Sequence, residues 1–169
     1  AEANLTFSGS VLNVTGSVGI GTNTSPHGGV GYAVLSLEGP NASATGPHIQ
    51  ATTASDDYPV FQQLNWTHDN SSLNFDSYFN GNWRSSYSGS NFQIYKIDEV
   101  LRFRYDKDVT AGNVLDWKEG MAINKDGNIG IGTAAPEALL HIRQDTDGDP
   151  EALLIEGGDG VYAQNMIIL

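Results

Sequence analysis

Leu73-Asn74-Phe75-Asp76-Ser77-Tyr78-Phe79 decides the fold class. In an extended strand successive side chains point to opposite sides, so Leu73, Phe75 and Phe79 share one face while Asn74, Asp76 and Tyr78 share the other. Val100-Leu101-Arg102-Phe103-Arg104-Tyr105 alternates in the same way, with Leu101, Phe103 and Tyr105 set against Arg102 and Arg104. Working outward, further short strands are readable at 32–37, 48–53, 60–66, 92–97 and 114–117. Turn signals separate them: Asp56-Asp57-Tyr58-Pro59, Asn80-Gly81-Asn82, Ser88-Gly89-Ser90, Ala111-Gly112-Asn113 and Asp126-Gly127-Asn128. No segment of helical length places apolar residues at i, i+3, i+4 and i+7. The pattern predicts an all-β chain in which short β-hairpin stalk elements flank a small antiparallel β-sandwich, jelly-roll-like, as a knob.

An internal repeat organises the chain. Val18-Gly19-Ile20-Gly21-Thr22, followed by Pro26, returns as Ile129-Gly130-Ile131-Gly132-Thr133, followed by Pro136. The stretches just before correspond as well: Val11-Leu12-Asn13-Val14 matches Met121-Ala122-Ile123-Asn124. Further on, Val34-Leu35-Ser36-Leu37-Glu38-Gly39 resembles Ala152-Leu153-Leu154-Ile155-Glu156-Gly157. The predicted division is a first stalk repeat at 1–31, a knob at 32–118, a second stalk repeat at 119–144 and the start of a further β module at 145–169. One whole unit followed by the opening of a second is expected of a piece of a longer array. The knob, which carries all three tryptophans, is small enough to be marginal alone and to gain from packing against a neighbour.

Composition narrows the function classes. The 169 residues hold 8 Lys+Arg against 20 Asp+Glu, a formal net charge of -12, which repels nucleic acid and anionic membranes. Cysteine is absent, so disulfides, thiolate metal sites and a cysteine nucleophile are excluded, and oligomerisation is the obvious substitute as a staple. A low charged fraction of 17% with 20 glycines suits exposed β structure with tight turns.

Gly-Ile-Gly is also a fragment of phosphate-cradling loops. A dinucleotide fingerprint, however, needs a third glycine and a following helix, and a Walker loop needs Gly-Lys-Ser/Thr. Here a proline follows and neither pattern is completed. The mechanical reading is that Val18 and Ile20, and again Ile129 and Ile131, point to one side, while the glycine side admits a close backbone. The hairpin from Ile123 to Ile131 is too thin to stand alone in water. Val18, Ile20, Ile123, Ile129 and Ile131 are therefore the expected assembly seam, buried against sister chains.

Gly127-Asn128-Ile129-Gly130-Ile131-Gly132-Thr133, then Pro136, then Leu139-Leu140-His141-Ile142, resembles the GNVGIGT–P–LHV stalk element of trimeric phage tail fibres and large-virus fibre proteins. In those proteins it often stands ahead of a self-cleaving chaperone domain, and a Gly-Ile-Gly-Thr motif also occurs in bacterial and algal surface proteins. The first copy departs in having Ser17-Val18 for Asn-Ile and no clear Leu-His-Val ending. Pro47-His48-Ile49-Gln50, Phe75-Asp76-Ser77-Tyr78 and Gly81-Asn82-Trp83-Arg84-Ser85-Ser86 are similar to knob modules of such fibres. The resemblance implies a homotrimeric segment of an extracellular or virion-surface fibre whose knobs touch a host surface.

Asp76, Tyr78, Trp83, Arg84 and Tyr95 supply the mixture of aromatic faces and polar groups that grips sugars, and are the candidate glycan contacts, weighed against their use as core. Asn-x-Ser/Thr sequons stand at Asn4, Asn13, Asn23, Asn41, Asn65 and Asn70, the last two flanking an apparent loop at His68-Asp69. Asp145, Asp147 and Asp149 alternate as carboxylates do in calcium loops, yet an EF-hand's later glycine, bidentate Glu and helices are missing. His27, His48, His68 and His141 show no metal-binding spacing and no triad order. The expected function is structural, with no catalysis and no cofactor: a homotrimer or filament that displays knobs, with itself and a host-surface glycan as partners. A secreted carbohydrate-binding module and a glycosylated cellular filament subunit are the alternatives, and a polysaccharide-degrading enzyme using a carboxylate such as Asp76 is a fourth.

Overall fold

The structure, a computed structural model, describes residues 18–20, 35–40, 46–54 and 58–144. Among the described residues there are twelve strands and no helix. They are β1 (Val18–Ile20), β2 (Leu35–Leu37), β3 (Ile49–Ala51), β4 (Phe61–Thr67), β5 (Asn70–Phe75), β6 (Ser77–Phe79), β7 (Trp83–Ser85), β8 (Gly89–Ile97), β9 (Val100–Val109), β10 (Lys118–Ile123), β11 (Ile129–Ile131) and β12 (Leu140–Ile142). The chain is all-β, as its alternation predicts.

Eight strands form one sheet in the order β12-β11-β10-β9-β8-β5-β4-β3, antiparallel throughout except for the parallel pair β11–β12. Tight turns make the long hairpins. His68-Asp69 joins β4 to β5, and Asp98-Glu99 joins β8 to β9 with φ of 52° and 61°. β1 and β2 form a parallel pair, and β6 and β7 an antiparallel one.

The predicted strand through 73–79 is broken at Asp76, which turns to φ 51°. There the backbone N–H of Asp76 donates to Val60 O at 3.1 Å, and Asp76 O accepts from Ser86 N at 2.8 Å. The kink lifts β6 and β7 off the sheet and lays them over one face of it. Phe79 and Trp83 from this flap pack on Leu64, Trp66 and Tyr95 of the sheet. The Trp66 ring lies 5.5 Å from that of Phe79 and 5.9 Å from that of Trp83, edge to face, an arrangement that adds to simple burial. Of the predicted sandwich, then, one layer is a full sheet and the other only a two-stranded flap. The strand expected at 114–117 is a single bridge from Val114 to Arg84, with Leu115 N donating to Trp83 O at 3.0 Å. Leu115 is buried here, which a strand in a second sheet is not needed to achieve. The boundary expected between residues 118 and 119 falls inside β10, so the second repeat continues the knob's own sheet.

Register fixes which residues share a face. Beneath the flap, Gln62, Asn74, Gln93, Arg104 and Glu119 stand opposite one another on successive strands. Leu64, Ser72, Tyr95, Arg102 and Ala122 form the neighbouring row. On the other face run Ala51, Phe61, Phe75, Phe92, Tyr105 and Lys118. Next to them lie Ile49, Gln63, Leu73, Ile94, Phe103, Met121, Ile131 and Ile142, and then Asn65, Ser71, Lys96, Leu101, Ile123, Ile129 and Leu140. Among the described residues, no element covers the face with most of the apolar residues.

Candidate functional site

The Gly-Ile-Gly-Thr element is a turn, a strand and a tight return. Asn124 organises the turn: its Oδ1 accepts the backbone N–H groups of Asp126 and Asn128, both at 3.0 Å. Gly127 takes φ 82°, where a glycine is at ease. β11 then pairs with β10, Ile123 opposite Ile129, giving the predicted hairpin. Beyond β11 the chain reverses and comes back as β12, parallel to β11 with Ile129 opposite Leu140. Ile129 N donates to Leu139 O at 2.9 Å and Arg143 N to Ile131 O at 2.8 Å.

Parallel neighbours ordinarily need a crossover of a dozen or more residues, and here residues 132–139 suffice. The glycines make that economy possible. A Cβ on Gly130 would lie 2.3 Å from Thr133 O, and one on Gly132, at φ 71°, would lie 2.3 Å from Arg143 O. The backbone that approaches the glycine side is thus the chain's own. Thr133 is buried, its Oγ1 accepting Ala135 N at 3.2 Å, and Pro136 is buried behind it.

β1 and β2 reproduce the same unit. Val18 stands opposite Leu35 as Ile129 stands opposite Leu140, and Glu38 N donates to Ile20 O at 2.9 Å as Arg143 does to Ile131 O. The counterpart of Leu35-Ser36-Leu37 is therefore Leu140-His141-Ile142, not the 152–157 stretch. The first copy does possess the ending that it lacks by motif, written Leu-Ser-Leu. Sequence similarity missed this because the link preceding it is six residues longer, 21–34 against 132–139.

Among the expected seam residues, Ile20 is 57% exposed, Ile129 36% and Ile131 37%. Ile123 is half-buried between Leu101 and Ile129 on the same uncovered face. The Val18 side chain lies outside the described residues. None of the described four is enclosed by its own chain.

The candidate glycan contacts sit elsewhere, under and around the flap. Tyr78 and Tyr95 are buried. Tyr78 stacks on Tyr58 at 5.1 Å, and Tyr95 donates its hydroxyl to Asn70 Oδ1 at 2.8 Å. Trp83 spends its ring on Trp66, Phe79, Tyr95 and Trp117. Arg84 donates to Asn80 Oδ1 at 3.1 Å and Gly112 O at 2.7 Å, and Asp76 is the kink residue. The structure uses the five to brace the flap.

Asn65 and Asn70 lie in strands β4 and β5, and the supposed loop between them is a two-residue turn. Asn65 Nδ2, the atom a glycan would need, donates to Pro47 O at 2.9 Å. Asn4, Asn13, Asn23 and Asn41, like the calcium candidates Asp145, Asp147 and Asp149, lie outside the described residues. Among the described residues no three His, Asp or Glu side chains gather as metal ligands.

Charge is managed on the flap side. Glu119 lies 3.4 Å from Arg102 and 3.8 Å from Arg104. Burial pushes its carboxyl above the usual glutamate range, and the two guanidinium groups pull it back only in part. Burial likewise pushes Arg104 down, with Arg102 adding to the shift, and its guanidinium sits 5.1 Å over the Tyr95 ring. At the hairpin tips Asp69 pairs with Lys96 and accepts Glu99 N at 2.9 Å; the Lys96 hydrogen bond, then that from Glu99, holds its carboxyl below the usual range. The chain matches no protein-family model, no curated protein and no solved structure.

Proposed function

We propose that this chain is a structural segment of an extracellular or virion-surface homotrimeric fibre, a module that builds and displays rather than one that reacts. The observation that supports this most is the recurrence of one parallel-strand unit within one chain: β1–β2 and β11–β12 share register, closing hydrogen bond and exposed isoleucine. Recurrence of a unit too small to bury its own apolar side is the mark of an array whose stability comes from neighbours. The Gly-x-Gly chemistry of the second copy supports the same reading, since Gly130 and Gly132 each serve a backbone approach. Attachment to a host surface belongs to the knob. With Trp83 and Tyr95 committed to the core, any glycan contact falls to other knob residues. Native mass spectrometry at micromolar concentration should return three copies of the chain. A single copy at that concentration overturns the proposal.

A further inference from the structure

We infer that the uncovered face of the eight-stranded sheet is the contact between copies of this chain, with its centre at Phe92 and Leu101 rather than at the repeat isoleucines alone. The inference rests on the oligomeric reading above and names the surface that would carry it.

The argument begins with polarity. The face beneath the flap buries Asn74, Asn91 and Gln93, while Phe92, on the opposite side of β8, is 54% exposed and Phe75 and Tyr105 beside it are also open. The flap side keeps its own core of Leu64, Trp66 and Tyr95, so a chain that kept the other face in water would leave Phe75, Phe92 and Tyr105 as a second, unburied apolar cluster, against the hydrophobic term that dominates folding. Extent comes next. Seven inter-strand spacings and three side-chain rows span roughly 34 Å by 20 Å, on the order of 700 Å². Gln63, Asn65, Ser71, Lys96 and Lys118 interrupt it, so its apolar share is on the order of 500 Å², at the upper end of the about 300–600 Å² patch of most monomers and within the roughly 800 Å² that each partner gives to a specific interface.

Charge selects the occupant. The chain carries a formal net charge of -12, so two copies repel unless they meet where carboxylates are absent. None of the residues in the three uncovered rows is Asp or Glu; Asp106 and Glu119 belong to the other side, and the carboxylates nearest the face, Asp69 and Asp116, are paired with its own Lys96 and Lys118. Such a face suits a second copy, and the chain's overall charge disfavours an anionic membrane. The relief is also matched to side-chain insertion: a shallow hollow at Gly120 is lined by Phe92, Phe103, Tyr105 and Met121 together with Arg104. The face is continuous with Ile123, Ile129 and Ile131, so one surface joins knob and repeat.

The test uses the whole chain. Phe92→Lys with Leu101→Lys alters two side chains already exposed in one copy, so circular dichroism should be unchanged while sedimentation shows self-association weakened at least 100-fold. Because the chain has no cysteine, Phe92→Cys supplies a lone thiol, with Tyr87→Cys, outside the face, as reference. In the assembly the Phe92→Cys thiol should react with maleimide at least ten times more slowly than the reference. Wild-type assembly with equal thiol rates and no effect of the lysines overturns this surface and leaves the fibre reading standing. A wild-type monomer overturns both. Should the double lysine variant fail to fold, the thiol comparison alone decides.

Discussion

Gln93 donates its Nε2 to Asn74 Oδ1 at 2.9 Å across the centre of the sheet, and both side chains are wholly buried. Their neighbours in sequence, Phe92 and Phe75, stand opposite each other on the reverse face and are exposed. The amides are held by a network: Asn74 Nδ2 also donates to Gln62 O at 2.8 Å and to Ser72 Oγ at 3.0 Å. A buried network of this type fixes register, because a one-residue slip would carry every amide to the wrong side.

Asn74→Ala should therefore be costly. It strands the Gln93 amide without its acceptor, and the expected loss is about 1–3 kcal/mol in urea unfolding. Asn74→Leu combined with Gln93→Leu removes both partners and should cost less than the two single changes added together. Additive losses would show that the two amides are not coupled.

The sequence makes the strands legible and leaves the faces ambiguous. Alternation in 73–79 and 100–105 separates two sets of side chains, yet nothing in it says which set is covered. The rule that apolar residues go inside points the wrong way for Phe75, Phe92 and Tyr105, all of which are exposed. The kink at Asp76 is invisible for another reason: Asp tolerates positive φ without announcing it as glycine would. Trp83 and Tyr95 can be read as core, the commoner use of such residues, or as a sugar platform until the flap is seen to bring Trp83 onto Trp66. The repeat was legible in its glycines, but its closing strand was hidden by unequal links.

Gly130 and Gly132 give a second test. At both places a Cβ would meet backbone, which has nowhere to move, so Gly130→Ala and Gly132→Ala should each cost about 1–3 kcal/mol. Amide hydrogen exchange in β12 should accelerate in both. Gly127→Asn is the control, since nothing lies within 4 Å of its Cβ position and Asn tolerates positive φ. It should leave β12 exchange unchanged. Equal effects at all three glycines would mean that the crowding around Gly130 and Gly132 is not what constrains them.

Glu119 gives a dependence on pH. Its folded pKa is raised above the ordinary 4.5, chiefly by burial, so the folded chain holds the proton more tightly than the unfolded one. Its contribution to stability is therefore fully present below 4.5 and is lost as pH rises through the raised folded value. Asp69, whose pKa is lowered from 3.8, works in the opposite sense and lower down, losing its contribution as pH falls through its folded value. The difference in unfolding stability between the natural chain and Glu119→Gln, followed from pH 4 to 7, isolates the first effect. It should shift against the natural chain as pH rises, and a flat difference would mean that Arg102 and Arg104 offset the burial fully.

The β8–β9 turn gives the last. Asp98 and Glu99 both adopt positive φ, the geometry of a two-residue turn whose twist matches the flanking strands and which favours Asn-Gly. Asp bears a left-handed conformation passably and Glu does so poorly. The one polar contact made by the Glu99 backbone is its N–H to Asp69 Oδ2, which glycine keeps. Asp98→Asn with Glu99→Gly should therefore stabilise the chain by about 1–2 kcal/mol, the strain relieved being offset in part by the greater freedom of glycine when unfolded. Thermal unfolding of the double variant against the natural chain reads this directly. A lower midpoint would place the two residues at negative φ and replace this hairpin tip with another turn.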